Sequence, residues 1–104
     1  MKSSIFRMDW TVFCSSLRSE TLAEPFLVLE TEPGEKPAWR LYAKAPQTLV
    51  QVMTFKKQPR SWRSIDAVVN ALHREFDVPP VLTLYGSVES VVFEGTQLES
   101  PKRP

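Results

Sequence analysis

The sequence predicts a single α+β domain with a mostly antiparallel sheet of three to five strands. Two segments have apolar residues at helical spacing. Strand-like segments follow one another without alternating crossover helices, which favours antiparallel pairing. The length of 104 residues, with 42% hydrophobic and 24% charged residues, suits one soluble domain with one modest core.

A helix is predicted over residues 9–23, flanking the sheet. Asp9 is a favourable N-cap, and Pro25 should end the helix at about Glu24. Its apolar stripe either packs into the core, which is the default in so small a domain, or forms a protein-binding surface. The stripe consists of Trp10, Phe13, Cys14 and Leu17.

A β-hairpin is predicted next, with strands at residues 26–32 and 38–44 around a Pro- and Gly-containing turn. A turn centred near Glu35 would place Glu30 opposite Arg40 and Val28 opposite Tyr42. The other face of the hairpin is more apolar and should meet the core. That face contains Leu27, Leu29, Trp39, Leu41 and Ala43.

The remaining elements are a strand, a helix and one or two further strands. Residues 48–56 are apolar on both faces, which favours a central strand. Residues 61–76 have the clearest helical pattern, with Ser64 as N-cap, and this helix should pack on one sheet face. Residues 81–85 and 88–94 suggest strands, and residues 99–104 suggest a short flexible tail.

Charge is unevenly distributed, although the net charge is only +1. Between Glu35 and Asp66 there are seven basic residues and no acidic one, and aromatic residues, Phe55 among them, lie between the basic ones. Clustered cations attract phosphates, and aromatic rings can stack on bases. The predicted nucleic-acid-binding residues are Arg40, Lys44, Lys56, Lys57, Arg60, Trp62 and Arg63.

Ordinary structural roles compete with this interpretation. Glu30 across the hairpin could neutralise Arg40, and Asp66 could pair with Arg63 one helical turn away. Trp62, just before a helix cap, could pack as a hydrophobic lid. Charged runs are more often solvated surfaces than binding sites.

The sequence does not indicate an enzyme, a metal site or a cofactor. His73 is the only histidine and should lie on a helix surface, without catalytic partners on its face. Cys14 is the only cysteine, so it excludes an internal disulfide and a site built on paired cysteines. Its apolar neighbours predict a buried core thiol.

We expect a cytoplasmic protein without a membrane segment. Arg7 and Asp9 interrupt any apolar run of a signal peptide, and no stretch approaches the roughly 18 apolar residues of a transmembrane helix. A reduced lone cysteine agrees with this expectation.

Residues 48–86 resemble small accessory proteins of plasmids and other mobile elements, some of which are associated with partition. The resemblance lies in Phe55-Lys56-Lys57-Gln58-Pro59-Arg60, in the following Ser61-Trp62-Arg63-Ser64-Ile65-Asp66-Ala67-Val68, and in Val81-Leu82-Thr83-Leu84. It implies a cytoplasmic, non-enzymatic bacterial protein that binds DNA or another protein, and it assigns no site residues.

Two functions follow as hypotheses. The first is a small non-catalytic protein that binds nucleic acid through the basic aromatic stretch, mainly by phosphate contacts. The second is a protein–protein adaptor or inhibitor that uses Trp10, Phe13 and Leu17 as interface anchors. One version of this hypothesis is a homodimer formed through the same residues.

Overall fold

A computed structural model describes residues 5–87, which form one six-stranded mixed sheet with two helices and confirm the α+β class. The predicted strand at residues 88–94 and the predicted tail at 99–104 lie outside the described residues. In chain order the elements are β1 (Ile5–Asp9), α1 (Trp10–Arg18), β2 (Ala23–Glu30), β3 (Ala38–Ala45), β4 (Thr48–Met53), β5 (Ser61–Trp62), α2 (Ile65–His73) and β6 (Thr83–Tyr85).

The strand order is β1-β4-β3-β2-β6, and β5 pairs with β3. Pairing is antiparallel between β2 and β3, β3 and β4, and β3 and β5. The pairs β1–β4 and β2–β6 are parallel. The prediction of three to five mostly antiparallel strands therefore described the centre of the sheet. It missed the strand β1 and the parallel pairing of both edge strands.

The hairpin of β2 and β3 has the predicted faces but a different register. Val28 lies opposite Arg40 and Phe26 opposite Tyr42, two residues from the predicted pairing. A shift of two residues leaves every side chain on its own face, because the side-chain period of a strand is two. The turn is centred at Gly34, whose φ of 79° suits a residue without a Cβ atom.

The first helix is shorter than predicted. It ends at Arg18, and Glu20 takes a φ of 66°, which turns the chain out of the helix. The N–H of Thr21 then donates to the Ser16 carbonyl. Pro25 lies inside β2, at a register shift where Glu24 also has a positive φ, and it does not end the helix.

The second helix begins where its N-cap predicts. The side chain of Ser64 accepts a hydrogen bond from the N–H of Ala67, and the helix ends at His73. The two residues before the cap region form β5 instead of helix. The predicted strand at residues 48–56 ends at Met53, and the predicted strand at 81–85 shortens to β6.

Both helices pack on one side of the sheet, which we call the helix-covered face. Phe13 of α1 and Leu72 of α2 join Leu27, Leu41 and Val52 in one buried cluster. Of the residues predicted on the core-facing side of the hairpin, Leu27, Leu41 and Ala43 are buried and Trp39 packs against the cluster, but Leu29 is 37% exposed. The other side, the opposite face, has a smaller buried cluster of Phe26, Val28, Tyr42 and Leu49. Arg40 and Lys44 lie on the opposite face, whereas Arg60 packs over Trp10 and Trp62 on the helix-covered face.

Candidate functional site

A tight turn at residues 54–58, the Phe55 loop, connects β4 to the segment that leads into β5. The N–H of Thr54 donates to the Gln58 carbonyl at 2.7 Å, and the N–H of Lys57 donates to the Thr54 carbonyl at 2.9 Å. The Thr54 hydroxyl accepts a third bond from the N–H of Gln58 at 3.2 Å. Lys57 has a φ of 66°, the left-handed conformation that closes such turns. The loop therefore has a defined hydrogen-bonded shape.

The tip of this loop presents an aromatic ring and two cations to solvent. Phe55 is 97% exposed, the highest value among the exposed large hydrophobic side chains of residues 5–87. Lys56 and Lys57, next in the chain, are also exposed. The prediction placed Phe55 at the end of a strand, so it left this residue out of the binding set.

Arg60 lies just beyond the loop and is held by aromatic rings. Its N–H donates to the Val52 carbonyl at 2.9 Å, which continues the pairing of the two chain segments. Its guanidinium carbon lies 5.3 Å from the ring centre of Trp10 and 5.0 Å from that of Trp62. Because two aromatic faces fix it, this cation has little freedom to leave its position.

Trp62 is a core residue, which corrects its assignment as a base-stacking group. Pairing of β5 with β3 places it opposite Trp39, and it belongs to the main core cluster with 9% exposure. Trp10 lies 5.9 Å from it between ring centres, and Arg60 lies over its ring. A nucleobase would have to displace these neighbours to stack on it.

Arg63 is exposed immediately before the N-cap of α2. The alternative in which Asp66 neutralises it is not observed, because no ion pair joins the two residues. Within residues 5–87, no carboxylate forms an ion pair with Lys56, Lys57, Arg60 or Arg63. These four cations and Phe55, which lie between residues 55 and 63 of the chain, are what we call the basic loop cluster.

Arg40 and Lys44 do not join the basic loop cluster, which corrects the prediction that seven residues form one surface. Strand alternation places both on the opposite face with Tyr42. The Arg40 guanidinium lies 2.8 Å from Glu30 and 3.1 Å from Glu32. Lys44 Nζ lies 3.0 Å from Glu24. Cross-strand neutralisation, the competing interpretation for Arg40, is confirmed.

A hydrogen-bonded chain extends from this ion pair across the opposite face. The Tyr42 hydroxyl donates to Glu30 Oε2 at 2.6 Å and accepts from Gln51 Nε2 at 2.9 Å. Gln51 Oε1 accepts from Arg7 Nε at 2.8 Å. Burial, followed by the hydrogen bond to Glu30, raises the pKa of the Tyr42 phenol well above its ordinary value. The phenol therefore stays protonated and serves as a structural donor.

The predicted protein-interface residues are part of the fold. Phe13 is 0% exposed, and both Trp10 and Leu17 pack against the main core. The indole N–H of Trp10 donates to Glu75 Oε2 at 3.3 Å, and Arg18 forms an ion pair with Glu75 at 3.1 Å. The apolar stripe of α1 thus packs the helix onto its own domain, with Phe13 buried and Trp10 and Leu17 partly exposed.

The two reactive side chains occupy the places that the sequence indicated. Cys14 is fully buried, and desolvation raises the pKa of its thiol to about 11, with a further contribution from Glu75. His73 is exposed at the end of α2. Among residues 5–87, no three His, Cys, Asp or Glu side chains are grouped so that they could hold a metal ion.

A shallow cleft of about 410 Å³ lies between the end of α1 and the segment after α2. Its walls include Leu17, Phe76 and Pro80, and Glu20 and Glu24 are its charged lining residues. It contains no histidine, cysteine or serine.

The chain matches no protein-family model, no curated protein and no solved structure. Neither helix of the described residues is long and apolar enough to cross a membrane.

Proposed function

We propose that this protein is a non-catalytic binding protein whose ligand is nucleic acid and whose binding surface is the basic loop cluster. The observation that carries the proposal is the Phe55 loop, which presents an exposed ring beside two exposed cations without ion-pair partners among the described residues. A phosphate backbone provides the negative charges that such cations attract, and bases provide flat faces for the ring.

The electrostatics of the cluster favour phosphate contacts with little reading of sequence. Lys56, Lys57 and Arg63 are exposed, so they gain affinity mainly by releasing counterions from the nucleic acid. Arg60 has a fixed guanidinium, which can donate to a phosphate without losing much side-chain freedom. If all four contact phosphates, the logarithm of the binding constant should fall with the logarithm of salt concentration at a slope of about −3.

The resemblance of residues 48–86 to mobile-element accessory proteins agrees with this proposal. The resemblance implies DNA or another protein as the ligand, of which the proposal takes DNA, and the bacterial cytoplasm as the setting. Both the DNA ligand and the setting are part of the proposal, and the binding assay tests the first of them.

The test is a titration of labelled oligonucleotide with protein between about 50 and about 200 mM salt. A Lys56→Gln/Lys57→Gln/Arg63→Gln variant should bind weakly and with a flatter salt dependence. The control is Arg74→Gln, because Arg74 is exposed beyond the other end of α2 and outside the cluster. It is compared with Arg63→Gln, which removes the same charge inside the cluster.

Two results would overturn the proposal. One is the absence of binding by the unmodified protein at the lowest salt concentration. The other is an equal loss of affinity in Arg63→Gln and Arg74→Gln, which would indicate a general charge effect. Circular dichroism of each variant keeps loss of binding separate from loss of folding.

A further inference from the structure

The ring of Phe55 is not part of either buried cluster of the described residues, so it does not contribute to the core. It is 97% exposed, whereas Phe13 and Phe26 are buried in the two clusters. Three hydrogen bonds involving Thr54 close the turn beneath it, so its position does not depend on packing of its own ring. An aromatic ring held in water by an ordered turn has a large surface ready for a partner.

We infer that Phe55 is a stacking platform for an unpaired base, so that the ligand of the basic loop cluster is single-stranded nucleic acid. This inference rests on the proposed function and adds the class of nucleic acid to it. In a duplex the base faces are covered by neighbouring bases, so a ring reaches them only by unstacking a base step, which costs free energy. In a single strand they are accessible, and stacking on an aromatic side chain tolerates any base.

The charges beside the ring fit this ligand better than a bare polyanion. Lys56 and Lys57 follow Phe55 directly, so a base on the ring would bring its own phosphates next to two ammonium groups. Arg60, two residues beyond the loop, can contact the phosphate of a neighbouring nucleotide. A polyanion without bases would use the cations and leave the ring unused.

The experiment compares three replacements at position 55. Phe55→Ala removes the ring, Phe55→Leu keeps an apolar side chain without a π face, and Phe55→Trp enlarges the π face. The probes are oligothymidylate and oligouridylate of about 20 nucleotides, a DNA duplex of the same length, and heparin. Comparison of the first two probes separates DNA from RNA as the source of the single strand.

Phe55→Ala should weaken binding to the single strands roughly 5- to 100-fold, and Phe55→Leu should weaken it nearly as much. Phe55→Trp should bind at least as tightly as the unmodified protein. Affinity for heparin and duplex should stay within about twofold in all three variants, because the cations that bind them are unchanged. The salt slope should also be unchanged.

An equal effect of Phe55→Ala on single strand, duplex and heparin would overturn the inference. So would full affinity of Phe55→Leu for the single strands. Vesicles of phosphatidylcholine and phosphatidylserine are a fifth probe. Loss of vesicle binding by Phe55→Ala, without loss of oligonucleotide binding, would overturn the inference and assign the ring to a lipid surface instead. If charge variants lose binding but Phe55→Ala does not, the inference fails and the proposed function stands. If the unmodified protein binds no oligonucleotide, both fail.

Discussion

The guanidinium carbon of Arg60 lies 5.0 Å from the ring centre of Trp62, and Trp10 completes the aromatic surroundings of the cation. Two residues that the sequence assigned to one ligand surface therefore have different roles. Trp62 belongs to the core, and Arg60 covers it while keeping its charge near the Phe55 loop. The contact links the stability of the domain to the geometry of the proposed binding surface.

Arg60→Ala should lower the free energy of unfolding by about 1 kcal/mol, because two ring contacts are lost. It should also make tryptophan fluorescence more accessible to iodide, since Trp62 loses its cover. Arg63→Ala is the matched control, because Arg63 is exposed and contacts no ring among the described residues. Urea unfolding of both variants checks the prediction, which equal destabilisation would contradict.

Glu30→Gln should lower the free energy of unfolding by about 2 kcal/mol, because Arg40 and Tyr42 both lose a charged acceptor. Glu24→Gln makes the same chemical change at a more exposed ion pair and should change the free energy of unfolding by less than about 0.5 kcal/mol. The side chain of Glu30 is 21% exposed and that of Glu24 is 71% exposed. Chemical denaturation compares the two variants. A loss of stability in Glu24→Gln as large as that in Glu30→Gln would contradict the role of Glu30 as the shared acceptor of Arg40 and Tyr42.

Lys57→Gly should raise the free energy of unfolding by about 0.5 kcal/mol, since glycine relieves the left-handed conformation at a φ of 66°. The same change at Lys56, which has no positive φ, should lower it by about 0.5 kcal/mol. Both variants should bind nucleic acid more weakly. Thermal unfolding and binding measurements should show that Lys57→Gly is more stable than the unmodified protein but binds nucleic acid more weakly. Equal stability changes in Lys57→Gly and Lys56→Gly would count against the left-handed conformation at Lys57.

Stability should fall between pH 9 and 11 through Cys14, whose thiol pKa rises from 9.0 to about 11 on burial. In this window the unfolded chain ionises its thiol and the folded protein does not. The folded state therefore holds more protons, and raising the pH favours unfolding. The free energy of unfolding should decline less steeply for Cys14→Ala than for the unmodified protein, and parallel declines would disprove the role of the thiol.

Local signals in the sequence predicted the features that depend on a few neighbouring residues. Asp9 and Ser64 cap the two helices as expected. Alternation in the hairpin identified the core-facing side, because that side follows from the period of a strand and tolerates a register shift of two. The burial of Cys14 and the exposure of His73 followed from their positions in helical patterns.

Features that depend on distant segments were not predictable. β1 pairs with β4 through contacts more than forty residues apart, and four of its five residues are exposed, so it carries no strong alternation. Trp62 becomes a core residue only because β5 adds to β3. The separation of Arg40 and Lys44 from Arg60 depends on the same assembly. The exposure of Phe55 was not predicted because the residue continues the apolar pattern of β4 and no glycine marks the turn that follows.

Amide chemical-shift mapping during titration with oligothymidylate tests the central claim most directly. The account predicts that the largest shifts lie at residues 54–63, with small changes at Arg40 and Lys44, whose side chains pair with carboxylates on the opposite face. The largest shifts at those two residues, or no shifts at any residue at low salt, would contradict it.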